Sequence, residues 1–315
     1  MILVTGGTGF VGQALIRHLV EDGQAVRTLI RPSGRSPHLP KGVPVEAAIC
    51  AISDERGLRA AMVGVDTVYH LVGAERQGTQ VDLFESEVGG TRNLVNVARD
   101  AGVERIFYVS HLGADRASAY PLLKVKGIAE EHIRRSGIDH TIIRSGLVFG
   151  PRDHFTTALA RMLYVLPFVF PLPGDGNTVL QPLWVEDLAT ILAWAVEDDE
   201  TRNKTYEVGG PEYITATELV NAVMQAVGNR KRIIHVRASY LRLMGVLLEY
   251  LFPQLPFSIY WLDYLAANRT ADLDTIPRDF GLMPARFSHH LGHLEGQPWE
   301  RIVLRELFNR RAANA

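Results

Sequence analysis

Three glycines at three-residue intervals, Gly6, Gly9 and Gly12, interrupt the opening run Met1-Ile2-Leu3-Val4-Thr5-Gly6-Gly7-Thr8-Gly9-Phe10-Val11-Gly12. Residues of this type at this spacing can cradle a diphosphate. Gly6 lets the chain turn sharply, Gly9 has no Cβ to hold a phosphate off the backbone, and Gly12 lets the following helix pack close to the strand. The apolar spacing predicts that helix from about Phe10 to Glu21, with Val11, Leu15 and Leu19 facing inward and Gly23 closing it. Its first turn aims free N–H groups and the positive end of its dipole at the bend. Gly6, Thr8, Gly9, Phe10, Val11 and Gly12 are therefore the candidate contacts for the pyrophosphate of a dinucleotide.

A second set of residues bears on which dinucleotide is held and what is done with it. After the second predicted strand, a carboxylate would hydrogen-bond a ribose 2′-hydroxyl and select NAD. The chain instead carries Arg31 and Arg35 in Leu29-Ile30-Arg31-Pro32-Ser33-Gly34-Arg35, and guanidinium groups fork onto a 2′-phosphate, which points to NADP with NAD as the alternative. Leu71, Val72 and Gly73 end the fourth strand with a small residue that lets backbone approach the adenosine side. Tyr120 and Lys124 have the four-residue spacing at which a lysine lowers the pKa of a tyrosine on the same helix face, the arrangement for moving a proton beside a transferred hydride. Ser110 and His111 close the fifth strand with a hydroxyl and an imidazole. His70, alone on an apolar strand, reads as a packed core residue.

These side chains need a frame, and the first 150 residues supply its pattern. Strands are predicted at Ile2 to Thr5, Ala25 to Ile30, Val45 to Ile49, Thr67 to Leu71, Arg105 to Ser110 and His140 to Arg144, with helices between them, notably Asp82 to Asp100 and about Ala119 to Ser136. This alternation encodes an α/β, Rossmann-type, doubly wound parallel sheet spanning 1–150. A smaller, partly helical lobe is expected over 151–315, with the chain returning to the core around 184–210 and a helix opened by the capping box Thr215-Ala216-Thr217-Glu218. Across 315 residues, 47% are hydrophobic and the net charge is -2, which describes a globule with a large core and no electrostatic footprint for nucleic acid. The single cysteine, Cys50, allows no internal disulfide and suits a reducing, cytoplasmic setting. With the first strand starting at Met1, no leader is expected ahead of it, and no segment has the length of apolar residues that spans a bilayer.

With these motifs in place, the chain resembles the atypical or extended short-chain dehydrogenase/reductase superfamily, whose members include NAD-dependent epimerases and dehydratases. Beyond the glycine turn, the resemblance rests on Gly90-Thr91-Arg92-Asn93-Leu94, Tyr108-Val109-Ser110-His111-Leu112-Gly113-Ala114, Ile143-Arg144-Ser145-Gly146-Leu147-Val148-Phe149-Gly150-Pro151, Trp184-Val185-Glu186-Asp187-Leu188-Ala189 and Tyr206-Glu207-Val208-Gly209-Gly210-Pro211. Ser110-His111-Leu112 and Asp279-Phe280-Gly281-Leu282 look most like the branch containing the NADPH-holding accessory subunit of respiratory complex I. The resemblance implies nicotinamide dinucleotide binding at the glycine turn and a Ser/Thr, Tyr and Lys set for hydride transfer. It also introduces a second register: Lys126-Gly127-Ile128-Ala129-Glu130 has the look of the family's lysine segment, with Leu122 at the tyrosine position. Two residues along a helix turn it by about 200°, so Lys124 and Lys126 cannot both face a cofactor; the Lys126 register is favoured. At the adenine-pocket position, where the family usually has an Asp, this chain has Ala51.

The resemblance implies an assembly, stabilising or redox-sensing role. The alternative is an active oxidoreductase or epimerase on an apolar small molecule, with Tyr120 and a lysine as its acid/base pair. Two apolar stretches, Met162 to Leu172 and Tyr240 to Leu265, are read first as core packing and an apolar pocket. The sharper reading is contact with a membrane surface or a membrane-associated complex. His289, His290 and His293 lack the cysteine or acidic company of a metal site and read as solvated or helix-end histidines.

Overall fold

A computed structural model describes residues 1–32, 39–73, 82–251, 262, 264–265 and 267–309. Seven parallel strands form the central sheet: β1 (Ile2–Thr5), β2 (Val26–Ile30), β3 (Glu46–Ile49), β4 (Thr67–His70), β5 (Arg105–His111), β6 (Asp139–Ser145) and, after the small strands named below, β11 (Lys204–Val208). Their spatial order is β3-β2-β1-β4-β5-β6-β11. It reverses between β1 and β4, and an open parallel sheet takes its ligand at such a switch point. The expected Rossmann-type architecture is the one observed.

Each face of the sheet is covered by helices that its strands' apolar residues require. On one side, α1 (Phe10–Glu21) and α6 (Val185–Ala195) bring Leu15, Ile16, Leu19, Ile191 and Leu192 against Ile2, Val4, Tyr69 and Phe107. On the other, α2 (Glu55–Ala61), α3 (Gly90–Asp100) and α4 (Pro121–Arg134) lay Leu58, Leu94, Val95, Ala129 and Ile133 on Leu3, Val68, Ile106 and Tyr108. At the lower end of β5, buried Arg105 lies over the Phe107 ring at 4.4 Å and donates to Thr141 Oγ1 at 2.8 Å, to Thr201 Oγ1 and to the carbonyls of Val196 and Asp198.

The smaller lobe contains α5 (Thr156–Val165), α7 (Ala216–Val227) and α8 (Ala238–Leu251) with three short strand pairs. These are β7 (Val148–Phe149) with β10 (Leu183–Trp184), β8 (Val169–Pro173) with β13 (Arg232–Val236), and β9 (Val179–Leu180) with β12 (Ile214–Thr215). Its core includes Phe149, Phe155, Leu163, Phe170, Val223, Phe287 and Trp299. The Thr215/Glu218 capping box opens α7 as expected.

Two local expectations need correction, for the Asp82 to Asp100 helix and for His293, and one strand lies at the margin of the sheet. The helix predicted over Asp82 to Asp100 is a π-helical turn, Glu85–Gly89, followed by α3. The Gly89-Gly90 pair weakens regular propagation, and the wide turn carries Glu87 to 1% exposure on the inner side. The third strand is an outer edge, with Glu46, Ala47 and Ile49 exposed, and Cys50 is buried just beyond it. His293 is not simply solvated: its Nε2 lies 3.2 Å from Thr156 Oγ1, beside buried Asp153, while His290 packs on Trp184 at 4.6 Å.

Candidate dinucleotide site

The glycine turn sits where β1, α1 and β4 meet. Gly6 has φ +77°, and a Cβ on it would come within 2.8 Å of the Leu71 carbonyl carbon and oxygen. Gly12 is closed off by the turn itself: a Cβ there would meet Gly6 O at 2.3 Å and Gly7 Cα at 2.7 Å. At Gly9, leaving its chain neighbours aside, an added Cβ would meet only Gly6 O within 4 Å among the described residues, at 3.0 Å, so the outer side of the bend has room for a ligand. Gly7 escaped the sequence reading. A Cβ at Gly7 would come 2.1 Å from Thr28 Oγ1, so β2 also needs a glycine in the bend. Gly9 is the N-cap of α1, no side chain caps that end, and its first turn holds no acidic residue. The free amides therefore remain for an anion.

Thr8, Phe10 and Val11 are half-buried around this end of α1, and Phe10 packs toward Val148 and Val185. A cleft of about 250 Å³ opens beside the turn, lined by Thr8, Gly9, Phe10, Gln13, Arg152 and Glu186 among others. Leu71, Val72 and Gly73 run half-buried from the end of β4 alongside Gly6. Arg31 is exposed just past β2. Arg35 lies outside the described residues.

The acid/base candidates separate. Tyr120 is the half-buried N-cap of α4, and Pro121 occupies the first helical position. Lys124 points to solvent. Lys126 faces the sheet at 2% exposure, its Nζ 3.1 Å from Glu87 Oε2 and 5.3 Å from the Tyr108 ring centroid. Leu122, four residues earlier, is buried with Leu83, Val88 and Val125. Beneath this pair, His70 bridges Thr5 Oγ1 (2.8 Å) and Thr91 Oγ1 (3.0 Å). Burial, then the Lys126 charge, lowers its pKa to about 3, so it is a neutral core histidine.

At the end of β5, Ser110 is fully buried and its Oγ has no hydrogen-bond partner among the described residues, while His111 is half-buried. The smaller lobe reaches this spot with two residues the sequence did not single out. Tyr264 OH lies 3.3 Å from His111 Nδ1 with the rings edge to face, and buried Arg269 donates to Leu112 O at 3.1 Å. The Arg269 guanidinium also lies 4.9 Å from the Tyr264 ring and 5.8 Å from the Tyr120 ring. Tyr264 is 153 residues from His111 along the chain, beyond the reach of any local spacing argument.

Comparison with known proteins sorts this geometry. An NAD(P)H-binding family model matches residues 6–157. A putative dihydroflavonol 4-reductase of Synechocystis is 32% identical over 244 residues, covering 69% of this chain and 68% of its own. The mitochondrial NADH dehydrogenase (ubiquinone) 1 alpha subcomplex subunit 9 of Arabidopsis thaliana is 27% identical over 306 residues, 90% of this chain and 76% of its own. The chain belongs to the atypical short-chain dehydrogenase/reductase superfamily. The superfamily fold is also that of an NADPH-dependent quinone oxidoreductase from Escherichia coli, with a TM-score of 0.72 and 21% identity over 93% of this chain and 99% of that one.

As a member of this superfamily, the chain has a nicotinamide dinucleotide as its cofactor class. The observed turn fits that group: a bend with no Cβ on its open side, an uncapped helix start, and the Leu71-Val72 backbone alongside. Of the two spacings offered by the sequence, the one with an inward lysine has buried Leu122 four residues before Lys126, and the one with Tyr120 has its lysine, Lys124, in solvent.

Proposed function

We propose that the protein binds NADPH in preference to NADH and holds it as a stabilising or redox-sensing ligand within a larger assembly, without turning it over. One observation carries this reading: the inward lysine of α4 is held by Glu87 at 3.1 Å, in a buried site with leucine at the tyrosine position. A lysine so paired has an acceptor already, and leucine has no proton to give. NADPH preference is supported by Arg31 and by the absence of any carboxylate from Leu29 to Ser36. Its relationship to a subunit of mitochondrial NADH dehydrogenase supports the assembly role. The lone buried cysteine supports the reducing cytoplasm as its compartment.

Titration calorimetry with each cofactor tests the preference, and tighter NADH binding overturns it. Following NADPH absorbance against a panel of ketones, quinones and aldehydes tests the non-catalytic reading.

The second reading is a working reductase on an apolar carbonyl compound, with Tyr120 as its proton donor. It is favoured by the position of Tyr120, half-buried at the start of α4, with the Arg269 guanidinium 5.8 Å from its ring. Turnover that disappears in Tyr120→Phe while NADPH still binds would establish it and displace the first.

A further inference from the structure

The outward face of α8 is apolar. Leu241 and Gly245 are buried and fix which side of the helix meets the protein. At about 100° per residue, Tyr240, Leu243, Val246 and Leu247 fall on the opposite arc and Met244 at its flank, and the exposures of Tyr240, Leu243, Met244, Val246 and Leu247 are 62%, 71%, 45%, 43% and 54%. A surface helix ordinarily turns its polar residues out and its apolar stripe in. The β8–β13 pair leading into α8 continues the pattern: Phe168 is 81% exposed, and Val169 and Ile234 are 36% exposed.

Charge along this part of the chain is mostly positive. Between Glu218 and Glu249 it holds no Asp or Glu, and it holds Arg230, Lys231, Arg232, Arg237 and Arg242. Arg230, Arg232 and Arg237 are exposed, and Arg232 pairs in register with Val169 beside Phe168. Asp175 lies near His235 just past the end of β8. The whole chain carries a net charge of -2, so the positive zone is local.

We propose that this face rests on an anionic lipid bilayer, with the apolar arc of α8 among the acyl-chain ends of the headgroups and the arginines at phosphate level. A convex helical face with aliphatic tips and cations at its rim matches a headgroup layer, where arginine stems lie along apolar surface and keep their charge at the polar boundary. A symmetric dimer through the same face would bring two such arginine zones together, and like charges there repel. The inference is independent of whether the bound dinucleotide is turned over.

The test uses the full chain with NADPH, sedimented with vesicles of phosphatidylcholine alone or of phosphatidylcholine mixed with phosphatidylserine. Binding is expected on the mixed vesicles, at least tenfold tighter than on phosphatidylcholine, and declining with salt. Arg232→Gln and Arg237→Gln should each weaken it by about fivefold. The pair Leu243→Glu/Leu247→Glu should leave the protein in the supernatant with its thermal melt and NADPH affinity unchanged, since both side chains are on the solvent side. Wild-type protein remaining in the supernatant with mixed vesicles overturns the proposal, as does pelleting that neither set of substitutions alters. Sedimentation equilibrium showing a dimer that Leu243→Glu/Leu247→Glu dissociates, with no vesicle binding, would assign the face to a second copy and equally overturn it.

Discussion

Replacing Lys126 with methionine keeps the volume of the side chain and removes its charge. Glu87, 1% exposed, would then be a buried carboxylate without its partner. At the observed 3.1 Å and an effective dielectric constant of about 20, the lost attraction is about 5 kcal/mol. Breaking one side of a buried pair typically destabilises by about 3–5 kcal/mol. For 315 residues that corresponds to a drop of about 5–8 °C in melting temperature. The double variant Lys126→Met/Glu87→Gln removes both charges and should recover most of the loss, giving an interaction energy of about 3 kcal/mol in a double-mutant cycle measured by urea unfolding. NADPH affinity, followed by calorimetry on the double variant, should stay within about threefold of wild type, a difference below 1 kcal/mol. A Lys126→Met protein that is destabilised by less than about 1 kcal/mol and loses NADPH binding would refute the reasoning. It would return Lys126 to the cofactor.

Gly12→Ala drives a methyl group against Gly6 O, so NADPH affinity should fall at least tenfold by calorimetry, about 1.4 kcal/mol or more, with the melt also lowered. His70 has a folded pKa of about 3 against 6.5 for its ordinary value, so only the unfolded chain takes up its proton on mild acidification and stability falls with pH through that window. Between pH 7.5 and 5 this group alone removes about 2 kcal/mol, and urea melts of His70→Gln should lack that increment. Thr215→Ala deletes the α7 capping box and should cost about 1 kcal/mol in the same assay, with no effect on cofactor affinity.

Much of the frame was legible because its signals are local. The bend at Gly6 to Gly12, the strand starts and the stop at Gly23 depend on residues a few positions apart, and Gly23 has the positive φ of a helix stop. Lys124 and Lys126 were harder. Spacing alone permits either, and the choice of face is made by what lies across from the helix, Tyr108 and Glu87, neither of which is a sequence neighbour. The π-helical turn that carries Glu87 inward reads as plain helix from the sequence, because spacing along the chain does not show the lysine across from Glu87. Tyr264 and Arg269 were invisible for the same reason. They reach the end of β5 across more than 150 residues of chain, and nothing in Tyr264-Leu265 or Asn268-Arg269-Thr270 marks them off from ordinary loop residues.

The Arg105 clasp makes the two ends of the central sheet unequal. Below, one buried guanidinium knots the start of β5 to β6 and to the turn that leads into β11. Above, the loops leaving the strands carry the glycine bend and the reach of Tyr264. Amide exchange should therefore be slowest around Arg105 and quicken toward the rim that carries the glycine bend.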